Sequence, residues 1–266
     1  MSFHDNAPVQ QICDDLHAEH ADLDAIVSRL DEAQWSLSTP AAGWTVRDQV
    51  SHLRFFDQRA SLALTDADEF AADTARLMAA GGTEASVAPG RTMTGATLLA
   101  EWRADRDRLV ALARTVDPSA RIPWYGPAMA ARSFITARLM ETWAHGQDVA
   151  DALGVSRLPT ARLKHVAHIG VRARPFSYVI NHLEMPALPV YVALLGPDGD
   201  LWEWGEPAQD SVTGDALDFC LAVTQRRHVA DTGLRIEGAA ALEWMGIAQA
   251  FAGEPGGGRS PGQFAG

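Results

Sequence analysis

Hydrophobic positions recur at helical spacing over most of the first 155 residues. Val9, Ile12, Cys13, Leu16, His20, Leu23, Ile26, Val27 and Leu30 form one stripe and predict a helix from about residue 8 to 31. His20 sits on that apolar line and reads as a satisfied core histidine rather than a metal ligand; His17 lies off it and reads as solvated. Thr45 and Asp48 have the spacing of a capping box, and the pattern then runs through Val50, Leu53, Phe56 and Ala60 to about Leu64. Residues 66–80 predict a shorter helix, and the stretch from Gly81 to Gly90 a loop. Thr94 opens a third long helix, with Leu98, Leu99, Trp102, Leu109, Leu112 and Val116 on its inner face, and Asp117-Pro118 stops it. Residues 119–129, containing Pro123-Trp-Tyr-Gly-Pro127, read as an irregular aromatic connection, suited equally to walling a pocket or to stapling the helices.

The fourth long helix is predicted over Phe134 to Leu153, a run without proline that Gly154 ends. Phe134, Arg138, Glu141, His145, Asp148 and Ala152 fall at steps of three or four and share one stripe. The flanks are apolar or small, so this helix is buried while its central line carries ionisable groups. Such groups need partners or a metal. Four amphipathic helices in this arrangement predict a helical bundle, a fold that builds metal sites from facing helices.

A connecting helix is expected over 159–185, carrying His165, His168 and His182; Arg162, Lys164, Arg172 and Arg174 beside them make it read as a solvated basic face. From Pro186 the period changes. Leu188 to Leu195 and Leu201 to Trp204, joined by Pro197-Asp-Gly-Asp, predict a hairpin. Thr213-Gly-Asp215 is expected to open a helix to Gln225, Leu234 to Gly238 to form a third strand, and Ala239 to Phe251 a last helix. The expected organisation is a mainly α protein: a four-helix bundle over 1–158, the connecting helix, a smaller α+β domain over 186–253, and a disordered Gly/Pro-rich tail over 254–266.

Composition narrows the function. The chain has 266 residues, 47% of them hydrophobic, and a formal net charge of −12, which argues against nucleic acid or an anionic membrane as partner. No run is long and apolar enough to span a membrane, and the N-terminus lacks a signal-peptide pattern, so a cytoplasmic location is expected. Cys13 and Cys220 are the two cysteines, without a C-x-x-C, and neither reads as a nucleophile.

Glu141 and His145, one turn apart, are spaced to hold one ion, although such a pair on a helix is commonly only an exposed ion pair. His52, at the edge of its helix's apolar face with Gln49 and Phe56, is the natural third ligand. Two nitrogens and one carboxylate suit zinc with an open fourth position, and iron(II) or another divalent metal such as nickel can use similar donors. Asp148 is placed to accept the other N–H of His145 or to take a proton, and Arg138 to hold Glu141 or an anionic substrate.

The segments Gly43-Trp44-Thr45-Val-Arg-Asp48-Gln-Val-Ser-His52-Leu53 and Glu141-Thr-Trp-Ala-His145-Gly-Gln-Asp148 resemble the DinB-like metal-dependent superfamily. The resemblance is greatest to its mycothiol-dependent maleylpyruvate isomerase branch, and within that to a group of actinobacterial metal-binding proteins. It implies that His52, Glu141 and His145 are zinc ligands and that mycothiol or a related thiol is cosubstrate. It also implies a sterol-carrier-like second domain whose arginine, Arg226 or Arg227 here, serves the site. Three readings follow: a zinc-dependent thiol transferase or isomerase acting on a small electrophile, a metal-dependent hydrolase or lyase using bound water, and a non-enzymatic binder whose metal site is closed, for example by His20. The acidic surface and tryptophan content permit a monomer or a homodimer.

Overall fold

The computed structural model describes residues 8–79 and 84–264, and the chain divides into two compact units, Ala7–Arg157 and Leu158–Gly266. The expected loop from Gly81 lies partly outside the described residues.

The N-terminal unit is a four-helix bundle built from α1 (Val9–Val27), α3 (Val46–Thr65), α6 (Gly95–Ala113) and α7 (Ala131–Leu153). Helix α3 packs on α6 and α7, and α1 packs on the same two. Leu23, Val27, Val46, Val50, Leu53, Leu98, Trp102 and Val149 close the core between them, as the stripes require. Three shorter helices accompany the bundle: α2 (Glu32–Trp35), α4 (Ala67–Ala79) and α5 (Glu84–Val87). The aromatic connection is more regular than expected, because β1 (Arg121–Ile122) and β2 (Met129–Ala130) pair antiparallel and hold it as a short two-stranded loop.

Local chemistry sets the helix ends that matter. Thr45 caps α3 in a complete box: its side chain accepts from the Asp48 N–H, and the Asp48 carboxylate accepts from the Thr45 N–H at 2.8 Å. Gly154 ends α7 in the left-handed conformation at φ 64°, open to glycine at no steric cost. Along its length α7 is buried on nearly every side.

In the C-terminal unit the single connecting helix becomes two, α8 (Leu163–Arg172) and α9 (Arg174–Ile180), because Pro175 fits only the first turn of a new helix. The basic face assigned to this segment is also corrected. His165 is buried, and His168 Nδ1 accepts a hydrogen bond from Trp204 Nε1 at 3.2 Å. The sheet has the order β4-β3-β5-β6: β3 (Tyr191–Leu195) pairs antiparallel with β4 (Leu201–Trp204) and parallel with β5 (Ser211–Asp215), which pairs antiparallel with β6 (Arg235–Glu237). Strand β3 starts three residues later than expected, after Pro189, which cannot donate to a ladder. Strand β5 replaces the expected helix start at Thr213, and α10 (Ala216–Val223) follows it. Helix α11 (Ala239–Ile247) completes a small α+β unit. The tail is not the expected free coil: the Gly256 N–H donates to Gln249 Oε1 at 3.1 Å, and the Gly262 N–H donates to Asp231 Oδ1 at 2.7 Å.

Candidate metal centre

Helices α3 and α7 bring His52, Glu141 and His145 together, so that one ligand atom of each lies within 4.8 Å of the others. The two imidazoles stand 4.5 Å apart between ring centroids. Glu141 Oε2 lies 3.2 Å from His145 Nε2, and the Glu141 side chain retains 23% exposure, so the cluster opens toward solvent on that side.

The outer nitrogen of each imidazole is occupied. His52 Nδ1 lies 2.8 Å from the hydroxyl of buried Ser86, on α5. His145 Nδ1 lies 2.5 Å from Gln49 Oε1. The orientation of that amide is set by its other end, since Gln49 Nε2 donates to Thr39 Oγ1 at 2.9 Å and Thr39 donates to the Trp44 carbonyl. An amide oxygen only accepts, so His145 carries its proton on Nδ1. Its Nε2 then faces the Glu141 carboxylate either with a second proton or with a bare lone pair. Two acceptors at that distance repel, and a metal ion is the other cation that can stand where the proton would. The donor set therefore fits a divalent metal, with Nε2 of His52 and His145 as the nitrogens left to bind it.

The Glu141 carboxyl is poised for the same role. Burial pushes its pKa up, but the contact with His145 and the positive charges of His145, Arg138 and His52 outweigh that effect and hold it down at about 2. It is a carboxylate throughout the neutral range. Trp44 packs on both imidazoles, stacked on His145 at 6.0 Å and tilted over His52 at 5.1 Å, which restricts both rings.

Three expectations change. Asp148 is buried one turn beyond His145, but the imidazole N–H it was expected to accept goes to Gln49. Gln49 sits one turn before His52 on the same stripe, and that position was the available signal for it. Arg138 makes its ion pair elsewhere than at Glu141. Its Nη2 donates to buried Asp57 Oδ1 at 2.9 Å, and Trp102 Nε1 donates to the same carboxylate at 3.2 Å. His20 is a core residue, set edge-on to Trp102 at 6.0 Å, yet neither ring nitrogen has a hydrogen-bond partner among the described residues. Burial first, with nearby Arg106 and Arg138, keeps it neutral, and it takes no part in the ligand cluster.

Arg226 and Arg227 follow α10 in the C-terminal unit. Arg226 is buried, donates to the Thr224 carbonyl at 2.6 Å and lies 5.9 Å from the Phe251 ring. Arg227 lies over the Phe264 ring at 3.9 Å and, with His228 and Arg259, lines a cleft of about 140 Å³ in that unit. Burial pushes the Cys13 thiol up to about 11 and the Cys220 thiol well above its usual range, so neither is a thiolate at neutral pH.

Residues 16–150, which contain the whole cluster, match the sequence model of the mycothiol maleylpyruvate isomerase N-terminal domain. The chain belongs to this family. Two relatives of similar length are the uncharacterized proteins MT0041 and Rv0036c of Mycobacterium tuberculosis strains CDC 1551 / Oshkosh and H37Rv. Each is 46% identical over 248 residues, covering 92% of this chain and 96% of its own. Among solved structures, the crystal structure of the mycothiol-dependent maleylpyruvate isomerase aligns with a TM-score of 0.60 over 85% of this chain and 93% of its own. At 15% identity that match establishes the shared fold. No helix among the described residues is long and apolar enough to cross a membrane.

Proposed function

We propose that this protein is a metal-dependent enzyme that uses mycothiol, or a related low-molecular-weight thiol, to transfer to or isomerise an electrophilic small molecule. The observation that carries this reading is the convergence of His52, Glu141 and His145 on one point within a domain of this family. The proposed ligands are those three residues, and the proposed metal is zinc, because two imidazoles, one carboxylate and an open side form its catalytic pattern. When bound there, such a metal supplies the Lewis acidity that lets a coordinated thiol lose its proton near neutral pH.

The chain's own residues do the rest. Gln49 fixes the tautomer and the rotation of His145, and Ser86 holds the rotation of His52. Glu141, ionised at neutral pH, offsets positive charge at the centre. Trp44 covers one side of both imidazoles and keeps water from that side. Arg226 and Arg227 both donate to backbone carbonyls of their own turn, and Arg227 also lines a cleft of the C-terminal unit; neither is given a step. Asp148 is given no step.

The test is metal analysis of the purified protein together with calorimetric titration of mycothiol before and after chelation. One zinc per chain, and mycothiol binding that disappears on chelation and in His52→Ala, is the expected result. Mycothiol binding indifferent to chelation, or turnover that proceeds without any thiol, would overturn the reading and favour hydrolysis by metal-bound water.

A further inference from the structure

Aromatic rings line the triad. Phe56, one turn after His52 on α3, lies 4.7 Å from the His52 ring, and Trp44 lies 5.1 Å from that imidazole. From Phe56 the wall continues to Trp124 at 6.3 Å and Tyr125 at 5.6 Å, both on the loop between β1 and β2. Phe70 of α4 supports that loop from behind, stacked on Trp124 at 5.5 Å and 9°. Phe70 is fully buried, whereas Trp44, Phe56, Trp124 and Tyr125 all keep part of their surface open. Phe56 thus stands between the metal-binding imidazole and two half-open rings.

The Tyr125 hydroxyl adds a directional feature. Its oxygen is shut off from solvent and has no hydrogen-bond partner among the described residues. A buried hydroxyl left without a partner is destabilising, and an acceptor atom of a ligand that reaches it offsets that cost. The guanidinium groups of the flanking helices are meanwhile committed. On α3, Arg47 pairs with Glu32, Arg54 with Glu101 and Asp105, and Arg59 with Asp73; on α7, Arg138 pairs with Asp57. The chain's net charge of −12 further disfavours the approach of a dianion.

We propose that the wall of Trp44, Phe56, Trp124 and Tyr125 selects a neutral, planar aromatic electrophile with an acceptor oxygen, such as a nitro or carbonyl group, that Tyr125 hydrogen-bonds. This deepens the proposed function and rests on it for the reaction. With an activated aryl halide as electrophile, the thiol sulfur attacks the electron-poor ring carbon and a carbon–sulfur bond forms. The carbon–halogen bond breaks, the halide leaves with the electron pair, and the thiol proton passes to solvent.

The wall can be tested without turnover, by calorimetric titration of the full-length protein with 2,4-dinitrotoluene, toluene and maleate, zinc content being measured on the same samples. Dinitrotoluene is expected to bind more tightly than maleate by about tenfold or more, and Trp124→Leu to lose roughly 3–10-fold of that affinity. Tyr125→Phe is expected to lose about fivefold for dinitrotoluene and nothing for toluene, a difference that loss of packing would not produce. It keeps the ring, so it remains informative even if Trp124→Leu does not fold. Maleate binding as tightly as dinitrotoluene, or Tyr125→Phe weakening both aromatic ligands equally, would overturn the proposal. A protein that binds the ring but takes up no metal would sink the metal-dependent function and leave the wall standing; one that takes up zinc and prefers maleate would do the reverse.

Discussion

At Gln49 a neutral amide stands where a carboxylate often orients a metal-binding histidine. It holds the tautomer of His145 without adding negative charge, which leaves a bound metal more electrophilic. Gln49→Leu is expected to weaken zinc binding by about 10–100-fold in chelator competition, whereas Gln49→Glu should retain it; equal affinity in all three proteins would reduce Gln49 to packing. Arg138 and Asp57 make the opposite kind of contact, a charge pair wholly inside the bundle. Arg138→Met leaves Asp57 buried and uncompensated, and the urea midpoint should fall by the equivalent of about 3–5 kcal/mol, most of it recovered in Arg138→Met/Asp57→Leu. Glu141 sets a pH dependence in the metal-free protein. Its carboxyl is held at about 2 against an ordinary 4.5, so the unfolded chain binds that proton more readily than the folded one. The stability it contributes is complete above about 4.5 and is lost as pH falls toward about 2. Urea melts in excess chelator should therefore show wild type and Glu141→Gln converging as the pH approaches the lower value.

Helix α3 carries a proposed ligand, His52, and the residue that orients another, Gln49, because its start is fixed. The Thr45–Asp48 box sets the first turn, and that turn aims Gln49 and His52 along one line. Thr45→Ala should cost about 1 kcal/mol in denaturant melts and leave zinc stoichiometry at its wild-type value. Helix α7 was legible because its polar residues recur at steps of three and four inside an apolar run that ends at a glycine. Strand β5 was not: Ser211 to Asp215 is short, contains Gly214, and acquires strand geometry by pairing with β3 on one side and β6 on the other. Periodicity within a segment carries no information about such neighbours. The break between α8 and α9 was in principle visible at Pro175, and the helical pattern on both sides of it masked the interruption.

Across the whole N-terminal unit, the candidate centre joins helices that are distant in sequence, so a metal bound there links α3 to α7. Zinc at about 100 times its dissociation constant should stabilise the folded chain by about 2.7 kcal/mol. A thermal scan with added zinc should show a raised midpoint in the wild type and no shift in His52→Ala; a shift surviving in that variant would place the binding elsewhere.

The mainly α architecture, with its bundle and smaller α+β unit, was determined by the sequence alone, because amphipathic period and capping chemistry are local properties of the chain. So was the pairing of Glu141 with His145, which one helical turn imposes. Tertiary structure decided what those residues meet. It put His52 beside them, gave the imidazole N–H of His145 to Gln49 instead of Asp148, and spent Arg138 on Asp57. It also turned Trp124 and Tyr125 of an apparently irregular loop toward Phe56. Helical spacing tells which side chains share a face. Which hydrogen-bond acceptor wins a given N–H depends on competition among groups from different helices, and that competition exists only once the helices have packed.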